Sequence, residues 1–352
     1  MQSGTLADIR RLAVLRANGL GDFLFCLPAL EALRLAYPEA EIVLLASPWH
    51  EEFLAGRPGP VDRVVVVPPS QGVRVEPNTT PNAQELERFF AGMRAERFDL
   101  ALQLHGGGRY SNPFVLELGA RVTAGLRTAD AAPLDLAVPY IYYQPEILRY
   151  LEVVSLVGAR PSGLEPNVTL KEADVEEAQA VVPDDGRPLA VLHPGANDTR
   201  RQWPVEQFAA VGDALVDAGV RVLITGTEPE RRLVEGVAHA MRRQAESLCG
   251  QLTIGGLAGL LSRCSVVVSN DSGPLHLAAA VGAPTVGIYW CGNLINAGPM
   301  TRSRHRPAVS WRLHCPVCGL DCTRDQCPHG ASFVVEVAVD EVVSSALELL
   351  GR

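Results

Sequence analysis

The stretch that most constrains the fold is residues 265–289, Ser-Val-Val-Val-Ser-Asn-Asp-Ser-Gly-Pro-Leu-His-Leu-Ala-Ala-Ala-Val-Gly-Ala-Pro-Thr-Val-Gly-Ile-Tyr. It reads as a strand, a polar turn, the start of a helix and a second strand. The apolar run 266–269 ends at Asn270-Asp-Ser-Gly273, and Pro274 falls where a first helical turn tolerates a missing N–H. A helix over 274–281 would turn its free N–H groups and the positive end of its dipole toward the carboxyl end of the sheet, where ligands bind in open α/β folds. A phosphate group is the natural guest. Taken alone, Asp271 or Ser272 could simply cap that helix. His276, on the first turn and aimed at the same place, favours a binding site.

The alternation continues in both directions. A strand over 11–16 leads through the glycine turn Ala17-Asn-Gly-Leu-Gly-Asp22 into a helix over 23–37, whose Phe23, Leu27, Leu30, Leu33 and Leu35 approximate a 3.6-residue period before Pro38 closes it. Strands are expected over 41–46, 63–67 and 100–104, with a polar Pro- and Asn-rich stretch at 68–81 and a helix over 83–95. Residues 158–166 have the composition of a linker. Beyond them come strands over 189–193 and 221–225, helices over 205–218, 228–243 and 257–262, and a last amphipathic helix over 340–350. Short apolar runs alternating with helices predict parallel, doubly wound sheets. At 352 residues the chain exceeds one core. The expectation is an α/β protein of two Rossmann-like domains, 1–162 and 163–352, facing each other across a cleft, with the last helix (340–351) free to pack back on the first.

Charge narrows the partners. With 31 basic against 40 acidic residues the net charge is −9, which excludes a general nucleic-acid binder and makes any anion site local. No apolar run reaches the roughly 18 residues of a membrane helix, and residues 1–11 lack the apolar core of a signal peptide. A soluble, cytoplasmic protein is expected.

In the second half, three strand ends converge if the sheet is parallel. His193-Pro-Gly-Ala-Asn-Asp-Thr-Arg-Arg-Gln-Trp-Pro204 offers Arg200 and Arg201 to phosphate oxygens, Thr225-Gly-Thr-Glu-Pro-Glu230 offers a carboxylate to ribose hydroxyls, and the 270–276 turn completes the set. Singly, the arginines read as surface charges and Glu228 or Glu230 as helix-start carboxylates. Together they describe a nucleoside diphosphate site. In the first half, Gly19-Leu-Gly-Asp22 sets a carboxylate at the mouth of the first strand, either as a helix cap or as a base. A base opposite a nucleotide site is what sugar transfer needs: the acceptor hydroxyl loses its proton as it attacks C1, and positive charge stabilises the departing diphosphate. His105-Gly-Gly-Gly108 is similar to an esterase oxyanion loop, but the sequence holds no Gly-x-Ser-x-Gly nucleophile elbow. It reads as a tight turn or as a loop on the acceptor side, with His105 and Arg109 as acceptor contacts.

These motifs resemble glycosyltransferase family 9, the heptosyltransferases of lipopolysaccharide core assembly. The resemblance runs through Arg16-Ala-Asn-Gly-Leu-Gly-Asp22 with Leu27-Pro-Ala-Leu30, His193-Pro-Gly, Arg201-Gln-Trp-Pro204 and Asp271-Ser-Gly-Pro-Leu-His276 with Ala279-Ala280. It implies a GT-B fold and an inverting transferase that moves heptose from ADP-heptose to a glycolipid or oligosaccharide acceptor. By resemblance, Asp22 is the general base, Gly21 lies on the acceptor side, and Asp271, Ser272, Gly273 and His276 hold the donor diphosphate. Arg201 stands where the family has a basic residue, usually Lys, and Glu230 where it has a ribose-binding Glu. Lys171 is the only lysine of this chain. The resemblance implies no cofactor for catalysis and no obligate protein partner. The alternatives are a non-catalytic nucleotide-sugar-binding protein, or a sugar-nucleotide epimerase or hydrolase of the same fold.

Cys315-Pro-Val-Cys-Gly-Leu-Asp-Cys-Thr-Arg-Asp-Gln-Cys-Pro-His329 gathers four of the eight cysteines. In a reducing compartment, Cys315, Cys318, Cys322 and Cys327 read as free thiols or as a structural zinc site, since one Cys-x-x-Cys is present and the second pair is irregular. Cys26, Cys249, Cys264 and Cys291 read as ordinary buried residues. Arg302, Arg304, His305, Arg306 and Arg312 form a cationic island, expected as a solvated loop or as a contact for a phosphorylated glycolipid or the anionic inner membrane.

Overall fold

The computed structural model describes residues 4–75, 80–325 and 327–351, and the chain divides into two compact units, Met1–Pro166 and Asn167–Arg352. In the first, β1 (Arg11–Leu15), β2 (Glu41–Ala46), β3 (Arg63–Val66), β4 (Leu100–Gln103), β5 (Val122–Arg127) and β6 (Leu136–Pro139) form a parallel sheet in the order β3-β2-β1-β4-β5-β6. In the second, β7 (Leu189–His193), β8 (Arg221–Ile224), β9 (Glu246–Ser247), β10 (Val266–Asn270), β11 (Thr285–Trp290) and β12 (His305–Ser310) form another, in the order β12-β11-β10-β7-β8-β9. Counted from its own first strand, each sheet has the order of dinucleotide-binding folds. The winding reverses between β1 and β4 and again between β7 and β10, so a crevice opens beyond the carboxyl ends of those pairs. Register fixes what meets there. Leu15 lies beside Gln103 and Ser269 beside His193, so the loops that follow leave the sheets side by side.

The central strands read as unbroken apolar runs because helices cover both faces. Leu12 to Leu15 and Val266 to Val268 are fully buried. Ala13, Leu15, Val43, Phe98 and Phe114 belong to a core of the first unit, while Trp203, Phe208, Val234, Val286 and Val334 belong to that of the second. Val342 and Ala346 of the last helix, Val339–Leu349, join this second core.

The differences from the expected elements have local causes. The helix expected over 228–243 opens as a 3-10 turn, Glu228–Glu230, because Glu230 bends back to Thr227, and it continues only over Arg231–Ala240. Strands β5, β6, β9 and β12 and the helices Pro48–Leu54, Ser111–Leu116, Glu146–Ser155, Glu172–Val181 and Cys291–Ala297 were not foreseen. The cationic stretch 302–312 is a solvated loop only at residues 302–304, which are exposed bends. It contains the edge strand β12: Arg306 pairs with Glu348 at 2.9 Å, Arg312 with Glu336 at 2.9 Å, and Arg304 donates to the carbonyl of Gly282 at 2.9 Å. The other edges are short or interrupted. β9 has two residues, β6 ends in Pro139, β12 carries Pro307, and β3 is headed by Arg63, which pairs with Glu41 and Glu96. Among the described residues, no helix is long and apolar enough to cross a membrane.

Candidate active site

In the second unit, Asn270 at the end of β10 joins two loops: its Nδ2 donates to the carbonyl of Pro194 at 2.7 Å and its Oδ1 accepts the Trp203 N–H at 3.0 Å. Asp271 follows, 2% exposed. Its Oδ1 lies 3.1 Å from His276 Nε2 and its Oδ2 3.1 Å from Arg201 Nη1. Burial works to raise this carboxyl, but the hydrogen bond and charge of His276, then Arg201, outweigh it and hold the group below the ordinary carboxylate range. Both oxygens of Asp271 thus have protein partners, Arg201 on one and the His276 ring on the other. Ser272 is the extended N-cap of the helix Gly273–Ala280. Its hydroxyl makes no cap bond and lies 3.1 Å from Ser269 Oγ.

The loop after β7 separates the two arginines. Arg200 turns back on Asp198 at 2.6 Å, whereas Arg201 reaches Asp271 and keeps a buried Nε with no hydrogen-bond partner. The two glutamates separate as well. Glu228 pairs with Arg231 at 2.5 Å, while Glu230 Oε2 accepts the N–H and hydroxyl of Thr227, both at 2.8 Å. Glu230 therefore does cap its turn, as its position at a helix start suggested. Its other oxygen points at Gly195, where an added Cβ would fall 2.0 Å from Oε1, so His193-Pro-Gly passes the carboxylate only because residue 195 has no side chain. His193 is buried with Nδ1 3.1 Å from Thr225 Oγ1, and burial lowers its pKa, so the ring is neutral.

In the first unit, Asp22 lies in the opening turn of the helix Leu20–Ala36 and Gly21 directly precedes it. Asp22 Oδ2 accepts the Gly19 N–H at 3.2 Å, and Oδ1 lies 3.1 Å from Arg16 Nη2. Arg16, 2% exposed, is pinned: Nε donates to the Asp22 carbonyl at 2.9 Å, Nη1 to the Leu104 carbonyl at 2.8 Å and Nη2 to Glu146 at 2.9 Å, while its guanidinium lies 4.9 Å from the centre of the Tyr150 ring. Tyr150 donates to the same Glu146 oxygen at 2.5 Å. Asp22 keeps 40% of its side chain exposed, a carboxylate held from behind and open in front. Sequence reasoning found Asp22 and quoted Arg16 but missed Glu146 and Tyr150, whose spacing of four on one helix was the available signal.

His105, expected as an acceptor contact, is 6% exposed. Its Nδ1 accepts the Ala17 N–H at 3.3 Å, and burial, followed by the charge of Arg16, pushes its pKa down to about 3. It holds the loop after β1. Arg109 is exposed, 3.7 Å from Asp130 and over the Tyr110 ring.

The cysteine segment gathers three of its four thiols with one histidine. Donor atoms of Cys315, Cys318, Cys327 and His329 all lie within 4.8 Å of one another. Cys322, named with the other three from the sequence, stands outside that group with its sulfur 3.8 Å from that of Cys327. Cys26 and Cys264 are buried, and burial pushes both thiols up to about 12, as expected of inert core residues.

A family model described as glycosyltransferase family 9 (heptosyltransferase) matches residues 86–313. Lipooligosaccharide heptosyltransferase 2 of Haemophilus ducreyi is 23% identical over 291 residues, covering 78% of this chain and 81% of that protein. Lipopolysaccharide heptosyltransferase 1 of Escherichia coli K12 is 25% identical over 291 residues, covering 79% and 87%. Among solved structures, a glycosyl transferase family 9 protein of Veillonella parvula matches with a TM-score of 0.79 at 20% identity, over 99% of this chain and 98% of that one. ADP-heptose lipopolysaccharide heptosyltransferase II of E. coli matches with 0.74 at 19%, over 97% and 98%. Motifs, sheet order and family model agree: the chain belongs to glycosyltransferase family 9 and is a glycosyltransferase of GT-B fold.

Proposed function

We propose that this protein transfers heptose from ADP-heptose, with inversion at C1, to a saccharide hydroxyl of a lipopolysaccharide-core glycolipid. Residues 1–162 bind the acceptor and residues 163–352 the donor. The carrying observation is Arg201: a guanidinium braced by buried Asp271, with an Nε that lacks a partner. A buried donor without a partner is costly in a protein interior, and a diphosphate oxygen satisfies it. Ser272, Gly273 and the first turn of their helix add backbone N–H groups, His276 adds a second cation-capable ring, and Glu230 takes the ribose hydroxyls. In the relatives solved with ADP or an ADP-heptose analogue, the bound molecule is of this class.

The reaction is one displacement. Asp22 takes the proton of the acceptor hydroxyl as its oxygen bonds to C1, the bond from C1 to the diphosphate oxygen breaks, and ADP leaves toward Arg201. Arg16 keeps Asp22 aimed. Arg201 and the N–H groups of the helix start meet the charge of the leaving diphosphate, so this scheme uses no cofactor. A glycolipid acceptor brings the protein to the cytoplasmic face of the inner membrane as a peripheral visitor.

The test is incubation with ADP-heptose and a core glycolipid lacking heptose. The expected result is ADP release equal to the heptose gained by the acceptor, with the anomeric configuration opposite to that of the donor. ADP and free sugar released equally well without acceptor would replace this reading by hydrolysis, and donor binding without turnover by a recognition role.

A further inference from the structure

The cysteine segment takes no part in the displacement, yet the chain leaving it grips the loop that carries Arg201. Gly330, next to His329, accepts the Thr199 hydroxyl at 2.9 Å. Ser332 Oγ donates to the Gln202 carbonyl at 2.7 Å, the Phe333 N–H to the Arg200 carbonyl at 2.8 Å, and Trp203 Nε1 to the Val337 carbonyl at 3.1 Å. The backbone on both sides of Arg201 is thereby clamped by residues 330–337. Between Trp311 and that clamp the described residues form turns and a single bridge, His314 to Asp321, without a helix or strand. Such a segment needs another source of order.

We propose that Cys315, Cys318, Cys327 and His329 bind one thiophilic divalent cation of the zinc class, and that the bound ion, by fixing the segment that grips residues 199–203, sets Arg201 for the donor diphosphate. The cysteines are free, so no disulfide competes for them. A tetrahedral zinc with bonds of about 2.3 Å to sulfur spaces its ligands about 3.8 Å apart. Cys315 Sγ stands 3.7 Å from His329 Nδ1, and the whole donor set lies within 4.8 Å. The Val317 N–H points at Cys315 Sγ from 3.5 Å, the outer-sphere bond that steadies a metal-bound thiolate. His329 is the ligand nearest the clamp, one residue from Gly330. The inference rests on the donor role proposed for Arg201, and the experiment separates the two.

The full chain is purified, its metal content measured, and ADP affinity determined by calorimetry on the zinc-loaded and chelator-stripped protein. One zinc per chain is expected, with ADP binding about tenfold weaker after stripping, and with ADP raising zinc affinity against a chromophoric chelator by the same factor, as linkage requires. Zinc bound with ADP affinity unchanged within twofold overturns the coupling and leaves the metal site standing. No binding of zinc overturns both parts of the inference. Loaded protein that ignores ADP overturns the donor reading instead. Cys318→Ser, at an exposed position, and His329→Ala should lose the ion while circular dichroism stays unchanged, and Cys322→Ser should keep it. Release by Cys322→Ser but not by His329→Ala overturns the ligand assignment.

Discussion

Asp22→Asn isolates the proton transfer from everything else Asp22 does. The carboxylate accepts from Gly19 N–H through one oxygen and from Arg16 Nη2 through the other. Asparagine offers one acceptor oxygen, so its amide nitrogen must face one of these donors, and one hydrogen bond is lost. With 40% of the side chain exposed, water replaces part of it, and the cost to stability is about 1 kcal/mol. That lowers the melting temperature by about 1–2 °C in a chain of 352 residues. Removing the base acts on the barrier, where a loss of about two to four orders of magnitude in turnover corresponds to about 3–5 kcal/mol. The two effects differ enough to be read apart. A coupled assay of ADP release gives kcat, calorimetry gives the ADP Kd, and thermal unfolding gives the stability change. The expected outcome is a collapsed kcat with ADP affinity held within about twofold. Turnover within tenfold of the parent, or a loss of ADP affinity matching the loss of rate, would refute the reasoning.

Gly195→Ala should push the Glu230 carboxylate from its place and weaken ADP binding about tenfold, roughly 1.4 kcal/mol by calorimetry; unchanged affinity would mean the nucleoside does not use Glu230. Arg201→Lys keeps the charge but loses the planar fork, so its ADP affinity should fall between those of the parent and Arg201→Ala; a lysine variant as weak as alanine would show that geometry, not charge, carries the contact. Burial pushes the pKa of His50 and of His105 down to about 3, so between pH 6.5 and 3 the unfolded chain binds more protons than the folded one. Stability should therefore fall as pH drops through that window, by up to about 1.4 kcal/mol per pH unit for each ring. Melting temperatures from pH 7 to 5 should decline, less steeply in His105→Gln, and a flat profile would contradict neutral buried rings.

What was legible in the sequence was what repeats locally. Val266 to Val268 and Leu189 to Leu192 announce buried parallel strands because no polar residue interrupts them, and the glycine turns after the first strand and at 270–273 announce the helices that follow. The second-unit site was half legible. Asp271, Arg201 and Glu230 were named together from strand-end convergence, but the inward turn of Asp271 toward Arg201 and His276 depends on burial, which spacing does not reveal. Likewise Arg16 and Glu146 are separated by 130 positions, and nothing local to either marks the pairing. Strands β5, β6 and β12 escaped notice because edge or near-edge strands tolerate Thr, Arg and Pro, which break the apolar run that identifies a central strand. His329 lies outside the Cys-x-x-Cys spacing, so the pattern of thiols alone does not place its ring beside Cys315.

Open sheets leave rims, and a rim of unpaired N–H and C=O groups invites strands from other molecules. Here the rims are poor templates. β9 is too short to guide a visitor, Pro139 and Pro307 have no N–H to offer, and Arg63 sets a paired charge at the head of β3. The irregularities that hid these strands from sequence reasoning are thus the ones that discourage amyloid-like stacking. A chain that needs two open sheets for its ligand crevices can in this way be made in quantity without its free edges finding one another.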